Sequence, residues 1–255
     1  MDKILVVHHL SKITEIILNN PNKRNAFDKE MSREVIKAIT EAEKKNQRVI
    51  IIKGNIAHGI FSAGHDLNEL TSVSDINNDP MFEMFDAVFN CGIPIIAQVE
   101  GDVYAGALHL LMVCDMVYAL DDVSVVITAN KMGVPFELRD YQKWLSIMGA
   151  HKVKELFFTA DKITARDAYN TGIFNSIYMT KSDLASKINE VCKSIIDCNK
   201  AGITNSKKQL NSIVSNITLK KPKIDEIDKD RKNILASDEF KIRVKNLISK
   251  VHKKY

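Results

Sequence analysis

Two short stretches constrain this chain more than any others. Phe61-Ser62-Ala63-Gly64-His65-Asp66-Leu67 and Gly101-Asp102-Val103-Tyr104-Ala105-Gly106-Ala107 each follow an apolar run of β character, are rich in Gly and Ala, and open a helical pattern. A strand, a small-residue turn and a helix start bring free backbone N–H groups to one point, where the helix dipole favours negative charge. Two such corners facing each other supply a pair of donors for an oxyanion. The rest of the chain must then build a frame that aims both corners at one place.

That frame reads as α/β. Ile4–His8 and Ile13–Leu18 are β-branched runs around Ser11-Lys12 and predict a hairpin. A polar turn-rich loop from Asn19 to Phe27 follows. Asp28 is placed to cap a helix whose Met31, Val35, Ile36 and Ile39 share a face. Arg48–Gly54 and Ile93–Val99 are continuous apolar runs, as strands buried on both faces should be. Between them, Thr71–Pro80 is polar and aperiodic, a loop suited to shaping a pocket, and about Met81–Asn90 predicts a helix. The helix opening near Ala105 is apolar nearly all round and belongs in the core. Met116–Leu120 and Val123–Ile127 predict strands, 137–148, 151–159 and 164–171 predict helices, and Ile173–Tyr178 a last strand. Thr164 and Asp167 have the form of a capping box, and Gly172 of a C-cap. From Lys181 on the pattern is helical and highly charged. The chain thus divides into an α/β core, 1–198, and a helical region, 199–255, whose amphipathic stripe needs a partner surface.

The totals exclude several classes. A length of 255 residues with 45% hydrophobic and 27% charged residues is that of an ordinary globular protein. The 36 basic and 32 acidic residues leave only +4, too little to argue for a nucleic-acid partner, although a few lysines can meet an anionic ligand. Cys91, Cys114, Cys192 and Cys198 have no metal-ligand spacing, and no metal is expected. No charged-then-apolar leader and no apolar run of about 18 residues is present, so the expectation is a cytoplasmic protein without a membrane partner.

The order of motifs resembles the crotonase (enoyl-CoA hydratase/isomerase) superfamily over nearly the full chain. The resemblance is carried by Asn22-Lys23-Arg24-Asn25-Ala26-Phe27, by Phe61–Leu67, by Gly101-x-x-x-Ala105-Gly106-Ala107-x-x-Leu110-x-x-x-Cys114-Asp115, and by Leu156-Phe157-Phe158-Thr159-Ala160-x-x-Ile163-Thr164-Ala165. Within the superfamily, Ser-Ala-Gly-His-Asp-Leu, Met-Gly-Val-Pro and the Val153–Ala160 stretch look most like methylmalonyl-CoA decarboxylases. The resemblance implies a crotonase-like spiral of repeated ββα units with a C-terminal helical trimerisation region, and a homotrimer or a hexamer built as a dimer of trimers. It implies an acyl-CoA substrate, with coenzyme A arriving as part of the thioester and no tightly bound cofactor. The backbone N–H groups of His65 and Gly106 correspond to the superfamily's thioester-oxygen donors. Ala63, Asp66 and Leu67 correspond to the adenine pocket, Arg24 and Ala26 to the CoA arm, and Lys250 to a lysine that reaches the CoA phosphates, although Leu247 replaces its usual aromatic companion.

Shared chemistry in the superfamily is stabilisation of a thioester enolate. The two glutamates that hydratases direct at water and the α-carbon correspond here to His109 and Asn130, so a carboxylate pair is missing. Decarboxylation needs no strong base. It needs an electron sink and an apolar pocket that destabilises the departing carboxylate. The tyrosine of the decarboxylases is Phe136 here; Tyr104 or Tyr141 compensates, or Glu137 enters the pocket and brings isomerase or hydratase chemistry. An acyl-CoA-binding protein without turnover is a further alternative. The His65 N–H is useful whatever the side chain, whereas its imidazole either binds the carboxylate, protonates the enolate, or plays no direct part. His109, on an apolar helix face, is either a hydrogen-bonded core residue or a catalyst, and Asp66 reads as a turn acceptor. Ala105 and Ala107, in place of glycines, are expected to be at ease in a helix start.

Overall fold

The computed structural model describes residues 2–56, 58–69, 79–133, 136–215 and 221–252, apart from the side chains of Met132, Arg139, Leu247 and 250–252. The predicted loop at 71–80 lies outside these residues except for its last two. The N-terminal hairpin forms as expected: β1 (Ile4–His8) pairs antiparallel with β2 (Ile13–Leu18), Ile4 opposite Leu18. Asp28 then accepts the Met31 N–H at 2.9 Å and starts α1 (Lys29–Lys44), which buries Met31, Val35, Ala38, Ile39 and Ala42.

The middle of the chain repeats one plan. A strand enters a first sheet, a short strand enters a second, and a helix follows. β3 (Val49–Gly54) and β4 (Ile60–Ser62) precede α2 (Pro80–Asn90). β5 (Ile95–Val99) and β6 (Asp102–Tyr104) precede α3 (Gly106–Val113). β7 (Met116–Leu120) and β8 (Ser124–Val126) precede α4 (Ala129–Met132). β3, β5 and β7 are parallel neighbours in the first sheet, and β4, β6 and β8 in the second, so successive units stack as a spiral. Ile50, Ile52, Ile95 and Ile96 are fully buried in the first sheet. Each contributes about 2 kcal/mol by leaving water.

Next comes α5 (Leu138–Thr159), broken at Gly149 (φ 74, ψ 163), which leaves the two helices the sequence predicts. β9 (Lys162–Thr164) pairs antiparallel with β8, and Thr164 caps α6 (Ala165–Asn170) in a capping box with Asp167. β10 (Ser176–Tyr178) closes the first sheet beside β7. The helices α7 (Lys181–Asp197), α8 (Lys200–Ser215), α9 (Lys221–Ala236) and α10 (Asp238–His252) complete the chain.

Four expectations need correction. The stretch after Gly101 is not a direct turn into a helix: Asp102–Tyr104 is a strand, because β4 and β8 offer it edges on both sides. After His65 only a 3-10 turn, Leu67–Glu69, forms among the described residues. The last strand is three residues long, since Ile173 and Phe174 are buried ahead of it in the turn after α6. Finally, the tail covers part of its own core. Leu235, Phe240 and Val244 form a buried cluster with Leu67, Phe82 and Ile248, and Lys207 of α8 pairs with Asp115 at 2.7 Å.

Candidate active site

The two corners meet. Residues 24–27 lie along residues 63–66, zipped by Ala63 N–H to Arg24 O (2.9 Å), Phe27 N–H to Gly64 O (2.7 Å) and Asp66 N–H to Phe27 O (2.8 Å). Buried Asn25 fixes the turn: its amide donates to the carbonyls of Asn55 and Phe61, and its own carbonyl accepts the Ser62 hydroxyl. Arg24 and Ala26 thus stand beside Ala63.

Opposite them, α3 begins at Gly106. A Cβ added to Gly64 (φ 81) would sit 2.7 Å from the Gly106 nitrogen and 2.8 Å from the Tyr104 carbonyl oxygen. One added to Gly106 would sit 3.3 Å from the His65 nitrogen and 3.5 Å from Met81 Sδ. A side chain at position 64 would overlap backbone outright and one at 106 would be tight, so glycine at 64 above all permits the close approach. Among the described residues, neither the His65 nor the Gly106 N–H has a hydrogen-bond acceptor. Gly106 is the first residue of its helix, where a free N–H is the rule. Ala105, expected to be at ease, is not: it caps α3 at φ 43, ψ −111, a conformation suited to glycine.

The side chain of His65 turns to α2. Its Nε2 is 2.5 Å from Asp79 Oδ2 and its Nδ1 2.9 Å from the Asp66 carbonyl oxygen. Asp79 also accepts the Met81 N–H through Oδ1 at 2.8 Å and so caps α2. Burial works to raise the Asp79 carboxyl, but the hydrogen bond and charge of His65 outweigh it and hold the group below 3.8. Asp66 is held low in the same way: burial opposes, and Lys23 at 2.6 Å with the Asn68 N–H prevails. Asp66 is therefore the turn acceptor that the sequence suggests.

One helical turn beyond Gly106, His109 lies in an aromatic wall. Its ring is 4.5 Å from Phe85 and 6.3 Å from both Phe136 and Trp144. Trp144 Nε1–H donates to His109 Nδ1 at 3.2 Å, which places the ring proton on Nε2, 3.3 Å from Asp140 Oδ1. Both nitrogens are engaged with buried partners, the arrangement of a core histidine. Asp140 also accepts the Glu137 N–H. Asn130 donates to the Phe157 carbonyl at 2.8 Å. The Glu137 carboxylate lies 3.5 Å from Arg231 of α9. Tyr104 reaches Asp102 at 3.4 Å, and Tyr141 packs on Phe157; burial pushes both phenols up.

His65, Gly106, His109 and Phe136 are thus gathered along α3 and its neighbours, while Asn130 and Glu137 are held by partners of their own. Leu67 packs against Leu235, Phe240 and Val244, and the side chain of Lys250 lies outside the described residues. Sequence reasoning missed Asp79, Asp140, Trp144 and Arg231. Asp140 carried a signal as the third residue of a predicted helix after Glu137, and Asp79 one as a cap residue directly before Pro80, but neither signal pointed to a histidine partner. Among the described residues no group of three His, Cys, Asp or Glu is placed to hold a metal ion, and no helix is long and apolar enough to cross a membrane.

The enoyl-CoA hydratase/isomerase family matches residues 9–245. Methylmalonyl-CoA decarboxylase of Escherichia coli (strain K12) is 32% identical over 171 residues, 66% of this chain and 66% of that enzyme. The peroxisomal Delta(3,5)-Delta(2,4)-dienoyl-CoA isomerase of Arabidopsis thaliana is 26% identical over 217 residues, 78% and 77% of the two chains. A structure of methylmalonyl-CoA decarboxylase with 2-nitronate-propionyl-CoA superposes with a TM-score of 0.92 at 27% identity, covering 97% of this chain and 96% of that one.

Proposed function

This chain belongs to the enoyl-CoA hydratase/isomerase (crotonase) family, and we propose that it decarboxylates methylmalonyl-CoA or a similarly short malonyl-type CoA ester. The observation that carries this reading is the pair of N–H groups, His65 and Gly106, without an acceptor among the described residues, on backbones in van der Waals contact. A thioester oxygen between them gains negative charge as the bond from the α-carbon to the carboxylate breaks. Its electron pair becomes the enolate, carbon dioxide leaves, and the α-carbon then takes up a proton. Each preorganised donor is worth about 3 kcal/mol to such a transition state.

The surroundings suit loss of carbon dioxide better than addition of water. Hydration needs two carboxylates directed at water and the α-carbon, and the corresponding His109 and Asn130 are tied to Trp144, Asp140 and Phe157. Phe85 and Phe136 leave an apolar wall there, against which a carboxylate is poorly solvated and its delocalised transition state less so. In this reading Arg24, Ala26, Ala63, Asp66, Leu67 and Lys250 hold the CoA portion. Incubation with methylmalonyl-CoA, with propionyl-CoA followed by mass spectrometry, tests it; no product above a blank refutes the decarboxylase.

A second reading rests on Glu137, directly after Phe136 and 26% exposed at its side chain. It would be the base of an enoyl-CoA isomerase or hydratase, and full activity in Glu137→Gln would remove it. Calorimetric binding of acyl-CoA esters without turnover of any would favour a binding protein instead. The assembly we propose is a homotrimer or hexamer, with Leu210 and Ile213 of α8, 62% and 72% exposed, facing another subunit. Light scattering that shows a monomer at micromolar concentration refutes it.

A further inference from the structure

Both nitrogens of the His65 ring face groups that only accept. The Asp66 carbonyl oxygen is 2.9 Å from Nδ1, and Asp79 Oδ2 is 2.5 Å from Nε2. Both contacts are attractive when each ring nitrogen carries a hydrogen, which makes the ring an imidazolium. The other place for that proton is Asp79, but its surroundings favour a carboxylate. Oδ1 already accepts the Met81 N–H, and Lys29 of α1 adds positive charge nearby. Among the described residues nearby, Asp66 is satisfied by Lys23, and Glu69 accepts the Lys29 backbone N–H. At 11% and 3% side-chain exposure, His65 and Asp79 are shielded from solvent, so their interaction is little screened.

We propose that Asp79 is a positioning residue for the oxyanion corner, holding His65 as a buried imidazolium whose charge stands beside the N–H that faces the thioester oxygen. The proposal rests on the acyl-CoA reading above. It also accounts for two features at once. Through Oδ2, Asp79 fixes the ring of the residue that supplies one donor. Through Oδ1 it fixes the start of α2, whose Met81 lies against Gly106, the residue that supplies the other. The ring then acts through its charge and not as a proton donor, since both its protons stay committed to Asp66 and Asp79. An oxyanion forming within reach of that charge is stabilised without any reorganisation of the site.

The test combines ring spectroscopy with kinetics. In protein labelled with nitrogen-15 histidine at neutral pH, the His65 signals, identified by their loss in His65→Gln, should show both ring nitrogens protonated. Asp79→Asn keeps a cap oxygen for α2 and offers Nε2 a hydrogen instead of a negative charge, so the ring should become neutral with its proton on Nδ1. With methylmalonyl-CoA, kcat should then fall roughly 10- to 100-fold while KM changes less than about threefold. A neutral His65 ring in the native protein, or an Asp79→Asn variant with native kcat, overturns the proposal. The native spectrum does not depend on Asp79→Asn, so a misfolded Asp79→Asn protein leaves the test intact. Native protein inert toward every acyl-CoA ester refutes the reaction instead, and the ring spectrum still decides the His65–Asp79 assignment.

Discussion

Gly64→Ala and Gly133→Ala make a matched pair that isolates the contact between the two corners. Both glycines have positive φ, 81 and 74, so each alanine carries the left-handed backbone penalty of about 1 kcal/mol. At Gly133 the new Cβ meets, among the described residues, only Arg243 Cδ, at an ordinary 3.9 Å. At Gly64 it meets two backbone atoms, at 2.7 and 2.8 Å, and neither strand nor helix start can turn aside as a side chain would. Forcing them apart adds about 2 kcal/mol, the usual scale of overpacking. The expected losses are therefore about 1 kcal/mol for Gly133→Ala and about 3 kcal/mol for Gly64→Ala. For a chain of this length they correspond to melting-point drops of roughly 2–4 °C and 6–12 °C. Differential scanning calorimetry on both variants reads them directly. Equal drops would refute the close approach, and with it the placement of the Gly106 N–H next to His65.

Three further outcomes follow from single sites. Ala105→Gly should raise stability by about 1 kcal/mol, because φ 43, ψ −111 costs alanine and not glycine; an unchanged or lower urea midpoint would contradict the strain. Trp144→Phe removes the donor to buried His109 Nδ1 and should cost about 2 kcal/mol in urea unfolding, whereas a neutral or stabilising effect would argue against that hydrogen bond. Asp66 titrates lower folded than unfolded, so its contribution is present above about pH 4 and is lost as pH falls through the lower folded value. Asp66→Asn should flatten the fall in stability below about pH 4, and an unaltered acid limb would exclude Asp66 as a contributor.

Local signals carried the long elements. The hairpin, the Asp28 cap, the buried runs of β3 and β5, the break at Gly149 and the Thr164 capping box are all set by residues within a few positions of one another. The three-residue strands β6 and β9 are different. They are too short to show a period, and they exist because β8 lies between them. The site divides along the same line. Gly64, His65 and Gly106 mark themselves by small-residue turns after strands. Asp79 sits at the end of a polar stretch, and its partner is 14 residues away; Trp144 meets His109 across 35 residues. Nothing near either residue announces the pairing. Ala105 shows the opposite failure: its type suits a helix start, and only the turn from β6 into α3 makes its backbone unusual.

The contacts of the last two helices also set an order of events during synthesis. Arg243 donates to the Lys131 carbonyl across 112 positions, and Arg231 faces Glu137 across much of the same span. At ribosomal speeds of about 5–20 residues per second, Lys131 precedes Arg243 by roughly 6–22 s. Once Tyr178 has been made within that interval every strand of both sheets is present, yet Leu67 and Phe82 still lack the cover of Leu235, Phe240 and Val244. The nascent chain therefore presents an apolar face beside the corner of His65 and Gly106, the kind of surface that chaperones bind, until α10 arrives.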